Sequence, residues 1–210
     1  GFLPRVKKIL ECVCVNCGRV KINETDPILY ERIRDPRARM SRMWNACKSK
    51  AICEPTDAKE LDRESMMFPA RSTGCGHSQP QIRREGLKLF LQYKKSKSED
   101  DEDFRTVQVE KRLFTPLEAL NVLRKISDFD LDLLGLSDEF ARPDWMILTV
   151  LPVPPPPVRP SIAVDGGAMR SEDDLTYKLG DIIKASINVR RCEEEGAPQH
   201  VIAEFEQLLQ

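Results

Sequence analysis

Two cysteines with the spacing of a metal half-site are the strongest chemical signal in the sequence. Cys14 and Cys17 are separated by two residues, so both thiolates can lie on one tight turn and bind the same ion. Gly18 follows directly and can adopt the positive φ that such a turn requires. The spacing predicts half of a tetrahedral zinc site, and the other two ligands must come from elsewhere in the chain.

Several residues are candidates for the two missing ligands. All are cysteine or histidine, and they are Cys12, Cys47, Cys53, Cys75, His77, Cys192 and His200. Cys47 falls on the apolar stripe of a predicted helix, which favours a packed thiol. Cys192 and His200 lie far along the chain, where packed or solvated roles are expected. Cys12 could reach the ion only if the backbone bends towards it.

Cys53 and Cys75 are the favoured partners of the half-site. Cys53 precedes a proline in a turn, and Cys75 lies between two glycines, where the backbone can wrap around an ion. We therefore predict the ligand set Cys14, Cys17, Cys53 and Cys75, with His77 as the alternative fourth ligand. Four thiolates leave no open position for a reactive water, so a structural zinc is expected. Glu54 and His77 are close in sequence to the proposed ligands, so either is a candidate catalytic base for the alternative of a catalytic zinc.

The composition limits the class of protein. The chain has 210 residues, enough for one large or two small domains, and a net charge of −1, which provides no overall basic field for nucleic acid. Its seven cysteines are an odd number, which favours a reducing compartment over a disulfide framework. No apolar run approaches the ~20 residues of a membrane span. The start without Met, and an apolar pattern that continues to Gln210, predict a piece of a longer protein.

Helices and strands of an α+β fold are expected to position these residues. Helix signals cover Asp35–Lys50, with the stripe Met40, Met43, Trp44 and Cys47, and a helix that begins at the Thr115 cap. A short helix around Asp128–Leu134 follows, with Asp128, Asp130 and Asp132 on a solvated face and Gly135 as its stop. One strand is predicted within Ile82–Tyr93 and a second, buried strand over Trp145–Leu151. Residues 54–73 and the acidic run 99–103 read as loops.

The last forty residues predict a helical hairpin. Ser171 to Asp174 form a helix start, and the helix extends to about Arg191. Gly196-Ala197-Pro198 breaks it, and Val201, Phe205 and Leu208 then form the apolar stripe of a second helix.

Four consecutive prolines precede the hairpin. Pro154, Pro155, Pro156 and Pro157 predict a polyproline II run. A stiff connector is the first interpretation, and a rigid wedge that projects from the end of a strand is the second. A ligand for an SH3 or WW groove is also possible. We identify no active site in the sequence.

Long motifs in the sequence resemble the largest subunit of eukaryotic RNA polymerase II, with a fungal source expected. They are the run Trp145–Ser161, the stretch Cys12–Gly18, the turn Gly74–Gly76 with Gln79-Pro80 after it, and Glu172–Thr176. They occur in the order found in that family, and the resemblance covers essentially all 210 residues.

The resemblance implies the clamp region near the N-terminus of that subunit. The family's structural zinc quartet matches Cys14, Cys17, Cys53 and Cys75. Residues 1–151 would be a zinc-stabilised clamp head. Residues 152–168 would be the lid, which parts nascent RNA from template DNA, with Pro154 to Pro157 and Arg159 in it. Residues 169–210 would be part of the clamp's helical hairpin.

The resemblance also implies partners and a location. It implies contacts with the other polymerase subunits, including the second-largest, and with template DNA and nascent RNA. Initiation factors and NusG-like elongation factors would dock on the hairpin, in the nucleus and away from membranes. The catalytic aspartate motif of the family is absent, so Mg²⁺ would be bound only in the complete enzyme and this chain would not polymerise alone. The alternative is a standalone zinc adaptor with a proline-rich ligand segment.

Overall fold

The computed structural model describes residues 2–22, 32–55, 74–94, 109–167 and 169–210. The chain divides into two compact units, Gly1–Leu148 and Thr149–Gln210, here called unit 1 and unit 2. The division lies three residues before the boundary predicted at 151/152. Residues 56–73 of the loop predicted over 54–73, and the acidic run 99–103, lie outside the described residues.

Unit 1 contains four α-helices and a three-stranded sheet within its described part. The helices are α1 (Leu3–Cys12), α2 (Pro36–Cys47), α3 (Pro116–Arg124) and α4 (Asp128–Leu133), and the strands are β1 (Gln81–Glu85), β2 (Lys88–Lys94) and β3 (Val109–Phe114). The strands are antiparallel in the order β1-β2-β3. The mixture of helices and small antiparallel sheets agrees with the predicted α+β class.

The core of unit 1 forms where α1, α2, α3, α4 and β2 meet. Fully buried side chains at its centre include Ile9, Met43, Leu91, Leu123 and Leu131. The predicted elements do not include α1, although its buried residues recur at helical spacing.

Helix α2 confirms the helix predicted from the apolar stripe. The Asp35 side chain caps it by accepting hydrogen bonds from the backbone N–H groups of Arg37 and Ala38, at 3.1 and 3.2 Å. Met40, Met43 and Cys47 are buried, as the stripe requires.

Trp44 joins α2 to α1. Its Nε1–H donates to Glu11 Oε2 at 2.7 Å, and the ammonium groups of Lys48 and Lys8 lie 4.2 and 5.0 Å from its ring centroid. Each cation–π contact at a half-exposed site is worth about 0.5–1 kcal/mol. These polar contacts fix the angle at which the two helices pack.

The segment Ile82–Tyr93 contains a strand as predicted, but it is a hairpin with two strands, β1 and β2, where one was expected. Glu85 pairs with Lys88, so Gly86 and Leu87 form a two-residue loop. Gly86 has a φ of 59°, which hairpin loops of this length favour at their first position. Leu87, assigned to the apolar face from its alternation, is 63% exposed in the turn. The alternating pattern continues correctly only from Leu89 onward.

Helix α3 begins with the predicted cap, and α4 begins with a cap that was not predicted. The Thr115 hydroxyl accepts from Glu118 N–H at 3.2 Å, and the Glu118 carboxylate accepts from Thr115 N–H at 2.9 Å, which completes a capping box. The Ser127 side chain caps α4. Gly135 ends it at a φ of 70°.

The solvated acidic face predicted for α4 is wrong at Asp130. This side chain is 2% exposed, and its Oδ2 accepts the Val20 N–H at 3.4 Å. The exposed side chains of Asp128 and Asp132 form ion pairs with Arg142 and Arg39. Successive residues of a helix are about 100° apart, so residues two positions apart point to nearly opposite sides. Asp130 therefore does not share the face of Asp128 and Asp132.

The buried strand predicted over Trp145–Leu151 is also wrong. Pro143–Met146 form a 3₁₀ helix, in which the N–H groups of Trp145 and Ile147 are used locally at 3.2 Å each. Trp145 and Val150 are 54% and 80% exposed. Only Met146 and Ile147 pack against the core. The prolines on either side favour a turn here, since they remove the N–H donors that a strand would use.

Unit 2 contains a short hairpin and a pair of helices. Strands β4 (Ile162–Val164) and β5 (Met169–Ser171) pair antiparallel around the 3₁₀ turn Asp165–Gly167. Helices α5 (Asp174–Glu194) and α6 (Gln199–Leu209) form the predicted helical hairpin, with Asp173 rather than Ser171 as the cap of α5. Among the helices of the described residues, none is long and apolar enough to cross a membrane.

The uniform polyproline II run predicted for the four prolines is wrong in its second half. Pro155 has the extended backbone, with φ −67° and ψ 160°, but Pro156–Val158 form a 3₁₀ helix. Proline fits the first positions of such a helix because its φ is already near the helical value and its missing N–H is not needed there.

Gly135 provides a test of how α4 packs against α2. A Cβ at this position would lie 2.6 Å from the backbone oxygen of Pro36, whereas a Cβ at Gly86, also at positive φ, would meet nothing within 4 Å. Both Gly→Ala changes cost about 1–2 kcal/mol for the left-handed backbone. We expect Gly135→Ala to cost roughly 1–3 kcal/mol more, since backbone must move. Urea unfolding of the two variants measures the difference, and equal losses would contradict the close packing.

Candidate metal centre

Four cysteine sulfurs from three distant segments form one cluster in unit 1. The Sγ atoms of Cys14, Cys17, Cys53 and Cys75 all lie within 4.8 Å of one another, and no other group of metal-binding side chains is found in the described parts of the chain. The distance is 3.5 Å between Cys14 and Cys75 and 3.8 Å between Cys17 and Cys53. A zinc–sulfur bond of about 2.3 Å places tetrahedral ligands about 3.8 Å apart. The spacing of the sulfurs therefore suits such an ion.

The first pair lies on a closed turn, here called the first knuckle (Val13–Val20). Val13 and Val20 form an isolated bridge, Cys14 N–H donates to Arg19 O at 2.8 Å, and Gly18 N–H donates to Cys14 O at 2.9 Å. These bonds place both sulfurs on the same side of the turn.

The end of α3 holds the first knuckle in position. Lys125 Nζ donates to Asn16 O at 2.9 Å. A Cβ on Gly18 would lie 2.6 Å from Lys125 Cβ, so only glycine allows the turn to approach this closely.

The second pair lies on two extended segments, here called the second knuckle (Ile52–Glu54 and Gly74–Ser78). Ile52 and Ser78 form a bridge, and Cys53 N–H donates to His77 O at 3.0 Å. Gly76 N–H donates in turn to Cys53 O at 2.8 Å. Cys53 and Cys75 are far from a CxxC motif in sequence, but these bonds give them an equivalent geometry.

Gln79 connects the two knuckles. Its Nε2 donates to Cys14 Sγ at 3.1 Å, and its Oε1 accepts from Val15 N–H at 3.0 Å. The N–H groups of Asn16 and Cys17 also point at the Cys14 sulfur, at 3.4 and 3.5 Å. The sequence marks Gln79 only as part of a resemblance motif, because no spacing rule assigns a role to a residue that bonds to a ligand rather than to the metal.

The surroundings of the sulfurs shift the pKa of Cys14 in one direction and the pKa values of Cys17 and Cys53 in the other. Burial raises the pKa of Cys14, but the N–H groups of Cys17 and Asn16 outweigh it and leave this pKa lowered. Burial raises the pKa of Cys53 to about 11 and also raises that of Cys17. Binding of a metal dication therefore has to displace protons from at least these two thiols.

The structure separates the four predicted cysteines from the alternatives. His77 is exposed, its Nδ1 lies 3.0 Å from Cys75 O, and it is outside the cluster. Cys12 and Cys47 are packed in the core of unit 1, and Cys192 is buried in unit 2. The Glu54 carboxylate pairs with Lys50 at 3.7 Å. This carboxylate is not part of the cluster of sulfurs.

The residues predicted for the lid-like loop lie in unit 2. Pro155, Pro156 and Pro157 are exposed, whereas Pro154 and Arg159 are half-buried. Arg159 Nε donates to Pro154 O at 2.9 Å, and its Nη1 donates to Thr176 Oγ1 at 3.2 Å. Arg159 therefore holds the proline segment against the start of α5.

We expect the chain to contain about one zinc ion per molecule. Cys53→Ser should abolish stoichiometric zinc, because it removes one of four ligands, while Cys47→Ser should retain it, because that thiol belongs to the core. Metal analysis after gel filtration measures both. Retention of zinc by Cys53→Ser would overturn the ligand assignment.

We expect Gln79→Ala to weaken zinc affinity by about 10–100-fold while leaving the stoichiometry at saturating zinc unchanged. The change removes the donor to Cys14 Sγ but no ligand. Gln92→Ala, on β2, is the matched control. Competition with a chromophoric chelator gives the affinities, and equal values for the two variants would exclude a role for Gln79 at the sulfur.

A family model described as RNA polymerase Rpb1, domain 1, matches residues 1–210. The match spans the whole chain, so the chain belongs to this family. It is thus part of the largest subunit of a DNA-directed RNA polymerase, a nucleotidyltransferase complex, and its partners include the other subunits of that enzyme.

Proposed function

We propose that this member of the Rpb1 domain 1 family is a noncatalytic clamp segment of the largest subunit of eukaryotic RNA polymerase II. It would help to close the enzyme over DNA in the nucleus. The observation that carries the proposal is the family match over residues 1–210. The cluster of Cys14, Cys17, Cys53 and Cys75 supports it, because the resemblance implies a structural zinc at these positions.

The proposed role of zinc is to make unit 1 rigid. The four thiols come from two knuckles that join the end of α1, the end of α2 and the start of β1. A structural zinc contributes about 10–16 kcal/mol of apparent binding free energy in small zinc domains. A clamp that swings as one body needs such a connection, since these segments are distant from one another in sequence.

We assign residues 152–168 to a lid that separates nascent RNA from template DNA. Pro154 to Pro157 restrict the backbone, and Arg159 ties the segment to Thr176 on α5. The segment then enters the β4–β5 hairpin, whose side chains at Ile162 and Met169 are 69% and 70% exposed. A divider built in this way resists bending when a nucleic acid strand presses against it.

We assign residues 169–210 to a docking surface for initiation and NusG-like elongation factors. Helix α5 has 21 residues and α6 has 11. Leu175, Ile183 and Ile187 are 48%, 57% and 56% exposed on α5. Apolar side chains at this spacing can receive the apolar surface of a partner protein.

The chain would contribute no catalytic residue to the polymerase. Its acidic residues Asp128, Asp130 and Asp132 are engaged with Arg142, the first knuckle and Arg39. The Mg²⁺ of the complete enzyme would be held by other segments of the polymerase.

A standalone zinc adaptor is the less favoured alternative. Its proline segment would have to be a polyproline II helix for an SH3 or WW groove. The 3₁₀ helix at Pro156–Val158 interrupts that conformation.

Replacing Pro154, Pro155, Pro156 and Pro157 with glycine in the complete polymerase should impair the displacement of RNA. Each glycine frees φ, so the divider bends and longer RNA–DNA hybrids persist. Pro198→Gly, between α5 and α6, is the control for the same chemical change outside the lid. Hybrid length in stalled elongation complexes is the measurement, and unchanged displacement in the fourfold variant would contradict the lid assignment.

A further inference from the structure

A second polar site lies in unit 1, and none of the four clustered cysteines lines it. It is a cleft of about 170 Å³ between α1, the first knuckle, the end of α2 and β1. Three cationic side chains and one carboxylate line it, and they are Lys21, Lys48, Arg83 and Glu11.

Lys21 is the unusual member of the group. It is 7% exposed, although lysine is almost never buried without a partner. Within the described ranges, its ammonium has neither a hydrogen bond nor an ion pair. Burial lowers its pKa, against the opposing effect of nearby thiols and of Glu11. A buried ammonium without a counter-ion is unfavourable, so an anion in the cleft would stabilise it.

The carboxylate in the cleft is already neutralised. Glu11 forms an ion pair with Lys7 and accepts the Nε1–H of Trp44 at 2.7 Å. It therefore does not balance the three cations. The cleft retains a surplus of positive charge.

Lys48 and Arg83 complete the set and have donors to spare. Lys48 Nζ uses one donor on Asn45 Oδ1, at 2.9 Å, and Arg83 Nη2 uses one on Gln81 Oε1, at 3.2 Å. An ammonium has three N–H donors and a guanidinium five. Both side chains are exposed at the rim, so they can reorient towards a ligand.

We propose that this cleft binds a phosphate monoester group, with Lys21, Lys48 and Arg83 as its donors. A monoester carries a charge of about −1.5 to −2 near neutral pH and three acceptor oxygens, which suits the surplus charge. The volume is well below the roughly 300–1,000 Å³ of pockets for larger ligands, so a single head group fits and a nucleotide does not. A phosphodiester chain would instead need a row of cations along a groove.

The competing explanation is that Lys21 balances the charge of the metal centre. Four thiolates and one zinc ion carry a net charge of −2, and Cys14 is among the groups that act on Lys21. In that case removing Lys21 would weaken zinc binding, and Arg83 would have no role. The two explanations therefore predict different behaviour for the two variants.

The test is isothermal titration of the zinc-loaded full chain with inorganic phosphate, at constant ionic strength set with sodium chloride. Lys21→Met keeps the length and apolar character of the buried stem, and Arg83→Gln lies at the exposed rim. Each should weaken phosphate binding by about tenfold or more, since a charge-assisted bond is lost. Arg84→Gln removes the same charge from the opposite face of β1 and should leave binding unchanged. Zinc content and far-UV circular dichroism check that each variant folds.

A phosphoserine peptide in the same titration distinguishes a modified protein from a free phosphate as the source. Weaker binding in both cleft variants, for either probe, supports the site. The proposal is overturned if phosphate shows no saturable binding, or if Lys21→Met and Arg83→Gln bind as tightly as the parent chain. It is also overturned if Lys21→Met loses zinc while Arg83→Gln binds phosphate normally, or if only a single-stranded oligonucleotide binds at the cleft.

Discussion

The mutual repulsion of four sulfur atoms is the constraint on which unit 1 depends. Two unit charges 4 Å apart repel by about 4 kcal/mol at an effective dielectric constant of 20. Cys17 and Cys53, with sulfurs 3.8 Å apart, cannot both be thiolates at little cost unless a cation lies between them. Without a metal, protons must fill that role, which is consistent with the raised pKa of Cys53. The close packing of the two knuckles therefore depends on the ionisation state of their cysteines.

The sequence was most informative where the rule was local. The Asp35 cap and the Met40–Cys47 stripe of α2, and the capping box at Thr115, need only neighbours within four residues. The choice of Cys53 and Cys75 also succeeded in identifying sulfurs that come together, because glycine and proline mark sharp turns. Their role as metal ligands remains a prediction.

The failures arose where tertiary contacts or turns overrode a pattern. Leu87 continued an alternation that Gly86 interrupts with a turn. The apolar run after Trp145 was read as a strand, although its hydrogen bonds are made within a 3₁₀ helix. Asp130 is buried because the first knuckle packs onto α4, and that contact joins residues 110 positions apart. No single-sequence rule encodes a contact over such a separation.

The charges on the outer strands of the three-stranded sheet have a further consequence for the behaviour of the chain. Both outer strands carry exposed charged side chains, such as Arg83 and Arg84 on β1 and Lys111 and Arg112 on β3, while their apolar residues Ile82 and Phe114 are buried. Charges along an exposed edge oppose the addition of a foreign strand, which is how aggregation commonly begins. The charged outer strands of the described sheet therefore disfavour such pairing.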